Sequence, residues 1–520
     1  MTITNRAIIF TLFVLAFPVF RCARILVYVA TPSISHQVVF RPLTQALAAR
    51  GHEVTVVTPN PAFSKFNAPA NLTEIDVHDV SYQNWEEIFI YHRGVKEDFV
   101  QEVILMFKKF ALIFDAQLAT PGVQEILSKD KSYFDVMLLE SCNRPLLGLV
   151  EKFEAPVILI SSLGAVPAQY AALGAPVHPL LYPSPGRQKL YNLSLLEKGI
   201  EIFNNVVLDY LISSAEDFDL SIIRKNFGDN VPGFEILAKR IVMMFLNEHP
   251  IWADNRPVPP NIIYIGGIHQ PQEKDLPKDL EDYLNSSKHG VIYVSFGTNV
   301  LPSQLPPEKI EIMTKVFSQL PYDILWKYDK DFLPGQSKNI KLSNWLPQSD
   351  LLKHPKVKLF ITQGGLQSTD EAINAAVPVI GIPMSGDQWY NIQKYVHHGI
   401  GLQLDIMTLT EKEFKETVNR VILDKSFKNN MIRLRAVMRE RPIKPLDHAV
   451  WWTEHIIKYG GSHLRAPAAH MSWFEYYEVK LVLIVMSILI TIITALFWTV
   501  KSVFKFIFNL YKINIKLKEH

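Results

Sequence analysis

The sequence predicts an α/β protein made of two Rossmann-like halves, and three stretches carry that prediction. Near the N-terminus, Ile25–Ala30 is a continuous apolar run, as expected of a parallel strand covered on both faces. Val39, Leu43, Ala46 and Leu47 then recur at helical spacing, Arg50-Gly51-His52 closes the helix, and Val54–Val57 begins the next strand. That is a βαβ unit, the seed of a doubly wound sheet. Past the middle the pattern restarts at Val291–Ser295, with further strands at Ile324–Trp326 and Leu359–Thr362 and helices between them. The third stretch runs from Trp345 to Gln388, where a strand (Leu359–Thr362), a glycine turn (Gln363-Gly364-Gly365) and a helix (Ser368–Ala376) follow one another. Glycines let a backbone approach an anion closely, and the free N–H groups at the helix start face it, so this order suits a phosphate.

The two ends read differently from the body. With 520 residues, two or three domains are expected, and 48% hydrophobic residues are ample for their cores. The net charge is +2 and no basic stripe is concentrated outside the extreme C-terminus, which argues against nucleic acid as a partner. Residues 1–23 read as a secretory signal: Arg6 precedes an apolar run, Ala7–Phe20, too short for a comfortable membrane span. Leu481–Val500 is uncharged and long enough, at about 1.5 Å per residue, to cross about 30 Å of hydrocarbon. Trp473, Phe474, Tyr476 and Tyr477 form an aromatic belt before it, and the lysines of the 501–520 tail place that tail in the cytosol, giving a single-pass type I topology. Lys516 and Lys518 resemble a dilysine retrieval signal of the endoplasmic reticulum. The sequons at Asn71, Asn192 and Asn285 fit a lumenal body. With Cys22 removed alongside the signal, Cys142 has no partner and no internal disulfide is expected.

Within the body, His36 falls between the first strand and its helix, where ligands of doubly wound sheets lie. The helix N-terminus disfavours imidazolium and keeps the ring able to take a proton, so His36 is the candidate general base. From Pro61 to Lys131 the chain is rich in aromatic residues, with helices expected between Trp85 and Leu127; some of these rings would line an apolar pocket. Phe134–Glu140 and Ala155–Ile160 read as buried strands, the first ending in a carboxylate; Asp115 is a weaker acidic candidate and Asp135 reads as structural. Gly174–Arg187 is a proline-rich loop, and Asp217-Phe218-Asp219, in a region of helical spacing, reads as a solvated face. The polar run Pro271–Asp282 reads as an interdomain linker, and Leu446–Tyr459 as a long helix. No cluster of metal ligands is visible.

The 44 residues from Trp345 to Gln388, with Trp345, Gln348, Gly365, Ser368, Glu371 and Asp387-Gln388 at fixed spacings, resemble the donor-binding signature of the UDP-glycosyltransferases. The resemblance covers nearly the whole chain and is close to the membrane-bound branch along Pro445–Trp452. It implies the GT-B architecture with residues 24–270 as an acceptor-binding domain, 271–285 as linker, 286–445 as the UDP-sugar domain, and 446–478 as a helix returning to the first domain plus a juxtamembrane segment. It further implies Trp345 on uracil, Gln348 and Glu371 on the ribose, Gln363, Gln367 and Ser368 on the diphosphate with Gly365 in the turn, and Asp387 and Gln388 on the sugar. Ser295 and Thr298 could also donate to the diphosphate. The family's catalytic histidine aligns with His36 and its supporting acid with Glu140, where vertebrate members usually carry Asp. Position 363 is Gln where many relatives carry His.

What the resemblance implies is inverting transfer of a hexose from a UDP-sugar to a small lipophilic acceptor, giving a β-glycoside, with no cofactor beyond the co-substrate and no metal. Gln363 and Glu140 look like the invertebrate members, which points to UDP-glucose and a detoxification role. The alternatives are UDP-glucuronosyl transfer on the same fold and a catalytically degenerate UDP-sugar-binding membrane protein. A homo-oligomer is compatible with each.

Overall fold

The computed structural model describes residues 22–64, 67–85, 93–95, 99–270 and 272–518. The Ala7–Phe20 run, Phe66, Phe89, Tyr91 and the last two residues of the retrieval motif lie outside them.

Two parallel sheets organise the chain. The first holds β1 (Arg24–Tyr28), β2 (Glu53–Thr58), β3 (Leu72–Asp76), β4 (Val136–Glu140), β5 (Val157–Ser161), β6 (Ile241–Leu246) and β7 (Ile262–Tyr264), in the order β3-β2-β1-β4-β5-β6-β7. The second holds β8 (Val291–Ser295), β9 (Asp323–Lys327), β10 (Ile340–Ser343), β11 (Val357–Thr362), β12 (Val379–Gly381) and β13 (Gly401–Gln403), in the order β10-β9-β8-β11-β12-β13. Every pairing is parallel, Tyr28 opposite Leu139 between β1 and β4, and Ser295 opposite Thr362 between β8 and β11. The strand order reverses at these two pairs, and in such sheets the crevice for a ligand opens there, beyond the carboxyl ends.

The continuous apolar runs follow from burial on both faces. Leu26 and Tyr28 pack into one core, and Ile25, Val27 and Val29 into another on the opposite side of the sheet. Ile292 and Val294 are divided in the same way from Val291 and Tyr293 in the second sheet. Side chains alternate along a strand, so each run feeds two helical layers. β3 carries no such run. It is an edge strand whose side chains are only partly covered, and its sequence signal is correspondingly faint.

Helix Pro445–Tyr459 lies on the first lobe, with Ala449, Val450 and Ile456 in one core with Val39 and Leu43. The Arg50 guanidinium grips Glu454 at 2.5 and 2.9 Å. In the stretch read as linker, Lys278–Ser286 is helical, because Leu280 and Leu284 bury against the second lobe. Asp217-Phe218-Asp219 is a further correction to the sequence reading. Asp217 is exposed, but Asp219 is buried and holds the Arg144 guanidinium at 2.6 Å, so only part of that triplet is a solvated face. Gly174–Arg187 has turns but neither helix nor strand, and Asn71, Asn192 and Asn285 are all exposed. Cys22 and Cys142 are both free. The last helix, Val479–Lys518, is longer than the span read from Leu481 to Val500 because it continues unbroken through the basic tail. Its Val479–Ile515 portion is long and apolar enough to cross a membrane.

Candidate active site

A cleft of about 1310 Å³ separates the lobes, and every catalytic and donor-site residue implied by the resemblance lines it. On the first lobe, His36 is the third residue of helix Ile34–Ala49, just beyond β1, and Glu140 is the last residue of the neighbouring β4. The reversal of strand order therefore brings together two side chains 104 residues apart, with His36 Nδ1 2.6 Å from Glu140 Oε1. Glu140 is buried, and its second oxygen accepts from the Thr31 backbone N–H at 2.8 Å. The longer Glu side chain thus reaches the imidazole and is itself fixed. Gln37 donates to the Thr31 carbonyl at 2.9 Å and steadies the same loop. Cys142 also lies close: His36, Glu140 and Cys142 each offer a donor atom, all within 4.8 Å of one another, a potential metal-ligand grouping that the sequence alone does not show.

Across the cleft, Ser295 ends β8 and the Gln363-Gly364-Gly365 turn follows β11, the two strands at the second reversal. The turn needs its glycine: Gly364 has φ +90°, and a Cβ there would stand 2.6 Å from Ile392. Helix Leu366–Ala375 starts two residues earlier than its apolar spacing indicates, with Gly365 as an N-cap that has no side chain to satisfy the first N–H groups. Gly365, Leu366, Gln367 and Ser368 line the cleft, and a helix start of this kind favours an anion.

Trp345 is 62% exposed on the cleft wall, with the Lys327 ammonium 4.8 Å above its ring. Gln348 accepts from Tyr293 OH at 3.0 Å and donates to Ser368 Oγ at 2.9 Å and to Glu371 Oε2 at 2.6 Å. Burial raises the Glu371 carboxyl to about 6, with the Gln348 hydrogen bond pulling the other way. Asp387 is likewise raised by burial, while its hydrogen bond from Asn391, at 2.7 Å, and the nearby His36 lower it. His36 and Asp387 thus line the cleft from opposite lobes.

Two amides are engaged differently from what the resemblance implies. Gln367 Nε2 donates to the Ser162 carbonyl on the first lobe at 2.9 Å, so this cleft-lining side chain bridges the lobes. Gln388 Oε1 accepts from the Met384 and Ser385 backbone N–H groups at 2.7 and 3.1 Å and shapes the loop before Asp387. Thr298 is exposed at the rim, and Gln363 Oε1 is buried with no hydrogen-bond partner among the described residues.

Of the acidic alternatives, Asp115 pairs with Lys225 at 2.7 Å, away from the cleft, and Asp135 caps the first strand by accepting from Arg24 N at 2.8 Å. Sequence reasoning passed over Lys327. It lines the cleft, donates to the Gly297 carbonyl at 2.8 Å, and its pKa is lowered by burial. Its signal was its place as the last residue of β9, a carboxyl end facing the site. Trp85, Phe107 and Phe110 form the apolar wall beside the first lobe, the Trp85 and Phe110 rings stacked at 5.7 Å.

A cleft between two Rossmann-like lobes, with an anion-binding helix start on one side and a His–Glu pair on the other, defines a glycosyltransferase of the GT-B architecture that uses a nucleotide-linked sugar. The family model described as "UDP-glucoronosyl and UDP-glucosyl transferase" matches residues 23–516, and the chain belongs to that family. It is 34% identical over 504 residues to the ecdysteroid UDP-glucosyltransferase of Spodoptera littoralis nuclear polyhedrosis virus, covering 92% of this chain and 96% of that one. It is 30% identical over 518 residues to UDP-glucosyltransferase 2 of Dactylopius coccus, covering 97% of each. Among solved structures it is similar to the glycotransferase of kitacinnamycin, with a TM-score of 0.57 and 18% identity over 84% of this chain and 99% of that one, a likeness of fold alone.

Proposed function

We propose that the protein transfers glucose from UDP-glucose to a hydroxyl of a small lipophilic acceptor with inversion at the anomeric carbon. The observation that carries this reading is the His36–Glu140 pair standing across one cleft from Asp387 and Ser368. With Nδ1 engaged by Glu140, Nε2 of His36 is left to take the acceptor hydroxyl proton, and the carboxylate stabilises the imidazolium that forms. The acceptor oxygen bonds to the anomeric carbon from one face while the bond to the diphosphate oxygen breaks on the other, and UDP leaves with the electron pair. Negative charge then grows on the diphosphate, where the N-terminal N–H groups of helix Leu366–Ala375, Ser295, Ser368 and the Lys327 ammonium act on it. Trp345 offers an exposed ring for the uracil, and Glu371, steadied by Gln348, accepts from the ribose hydroxyls. Relatives named as UDP-glucosyltransferases support glucose over glucuronate.

We read the terminal helix as a single membrane span anchoring the chain in the endoplasmic reticulum, with the two lobes lumenal and the lysine-rich end cytosolic. The exposed sequon asparagines are accessible for glycosylation in that topology. A role in detoxification follows if the acceptor is a foreign lipophile.

The test is to incubate membranes carrying the protein with UDP-glucose or UDP-glucuronate and a panel of phenols, flavonoids and steroid alcohols. The panel includes an ecdysteroid because several relatives are named for it. A β-glucoside by mass and NMR is expected; an α-linked product, or donor binding with no product across the panel, would overturn the reading.

A further inference from the structure

Helix Leu195–Ser214 lies at the surface of the first lobe, held by the ion pairs Lys189–Glu197 and Arg187–Glu201. It has a complete N-terminal capping box, Ser194 with Glu197, yet none of its 20 residues is buried. Leu196, Ile200, Phe203, Val207 and Tyr210 fall alternately four and three residues apart, which puts them on one helix face, and Leu196 (75%), Phe203 (67%) and Tyr210 (72%) are largely exposed. A contiguous apolar stripe of this kind on a capped helix, with Glu197, Glu201, Asn205 and Asp209 elsewhere on its circumference, is the pattern of a helix lying in a membrane interface.

Two observations say what covers it. The helix's Leu208 and Ile212 line the catalytic cleft, so its other side is a wall of the cavity holding His36. The same cavity is lined by His470, Met471, Ser472 and Glu475, the residues that lead directly into the aromatic belt and the apolar helix Val479–Lys518. That lead-in is fastened to the first lobe: Arg465 donates to the Lys239 carbonyl at 2.9 Å, and Ala466 and Ala469 press against Gly174. The lead-in to the apolar terminal helix and the helix Leu195–Ser214 therefore both line the cavity that holds His36. Trp473, Phe474, Tyr476 and Tyr477 are exposed just before that terminal helix, as residues seated among lipid headgroups are.

We propose that the apolar face of Leu195–Ser214 rests on the membrane surface, and that the mouth between this helix and His470–Glu475 admits acceptors dissolved in the bilayer. This rests on the anchored glucosyltransferase reading above. A lipophilic acceptor concentrated in lipid then reaches His36 without crossing water, while UDP-glucose enters from the aqueous side.

The membrane-anchored protein in phosphatidylcholine vesicles, with Phe203→Cys carrying an environment-sensitive fluorophore, tests the placement; label on the native cysteine Cys142 is subtracted using the parent chain. Blue-shifted emission quenched by lipids spin-labelled near the headgroup is expected. Water-like, unquenched emission would overturn the proposal, including the case where crosslinking at position 203 shows that a second copy covers the face. Combining Leu196→Ser, Phe203→Ser and Tyr210→Ser should raise KM about tenfold for a bilayer-partitioning steroid alcohol, leaving KM for a water-soluble phenol and for UDP-glucose unchanged. Equal shifts for both acceptors would overturn the portal. A quenched label without any glucosyl transfer would overturn the reaction and leave the membrane placement standing.

Discussion

The indole N–H of Trp252, on the first lobe, donates to Asn391 Oδ1 on the second at 2.9 Å, and Asn391 in turn donates to Asp387 at 2.7 Å and to the Gly364 carbonyl at 2.9 Å. One buried amide therefore joins the contact between lobes to both the cleft-lining Asp387 carboxylate and the glycine turn. Trp252→Phe leaves Asn391 Oδ1 unpaired in the interior, which costs about 1–3 kcal/mol. Calorimetric titration is expected to show weaker UDP-glucose binding with UDP affinity nearly unchanged. Equal loss for both ligands would mean that the link does not reach Asp387.

The dyad predicts a separation of chemistry from binding. His36→Ala and Glu140→Gln should each lower kcat by about 10² to 10⁴ while leaving the Kd for UDP-glucose alone. Glu140→Asp, one methylene shorter, keeps the charge but withdraws the carboxylate from a 2.6 Å contact, and an intermediate rate is expected. Full activity in His36→Ala would remove the proposed base.

Glu371 gives a pH signature with a definite sign. Its carboxyl is raised by burial from the ordinary 4.5 to about 6, and in the proposed donor complex it is the ionised form that accepts from both ribose hydroxyls. UDP affinity should therefore rise as pH increases through about 6, and Glu371→Gln should flatten that rise. Stability runs the other way. A buried carboxyl with a raised pKa contributes fully below its unfolded value and loses that contribution as pH climbs through the folded one. Unliganded protein should thus unfold at a slightly lower temperature above pH 6 than below it, and an opposite slope would show that another group dominates.

Lys394 is buried, donates to Asp254 at 2.8 Å and to the Trp252 carbonyl, and lowers the raised carboxyl of nearby Glu248, which sits at about 7. Lys394→Met removes the cation paired with Asp254 and leaves Glu248 with Arg256 alone, at a cost of roughly 3 kcal/mol. The melting temperature should fall, and fall further at alkaline pH where Glu248 ionises.

A metal ion at His36, Glu140 and Cys142 would have to part Nδ1 from the carboxylate it already touches. Zn²⁺ is therefore expected to inhibit and a chelator to restore the rate, with the untreated enzyme insensitive to the chelator. Loss of activity on chelation alone would reverse that assignment.

Much of this protein was written in short stretches of chain. Runs such as Ile25–Ala30, Val291–Ser295 and Leu359–Thr362 announce strands covered on both faces, and the Trp345–Gln388 stretch carries the spacing of a donor site, because periodicity and glycine turns act over a few residues. Partnerships between distant residues were not legible in that way. That Glu140 reaches His36, that Gln367 is spent on Ser162, that Asp219 is buried against Arg144, and that Leu195–Ser214 keeps an apolar face uncovered were decided by which elements the sheet order places side by side. A side chain's local pattern states which face it occupies; its hydrogen-bond partner and its solvent are supplied by segments tens to hundreds of residues away, and only the packed lobes determine them.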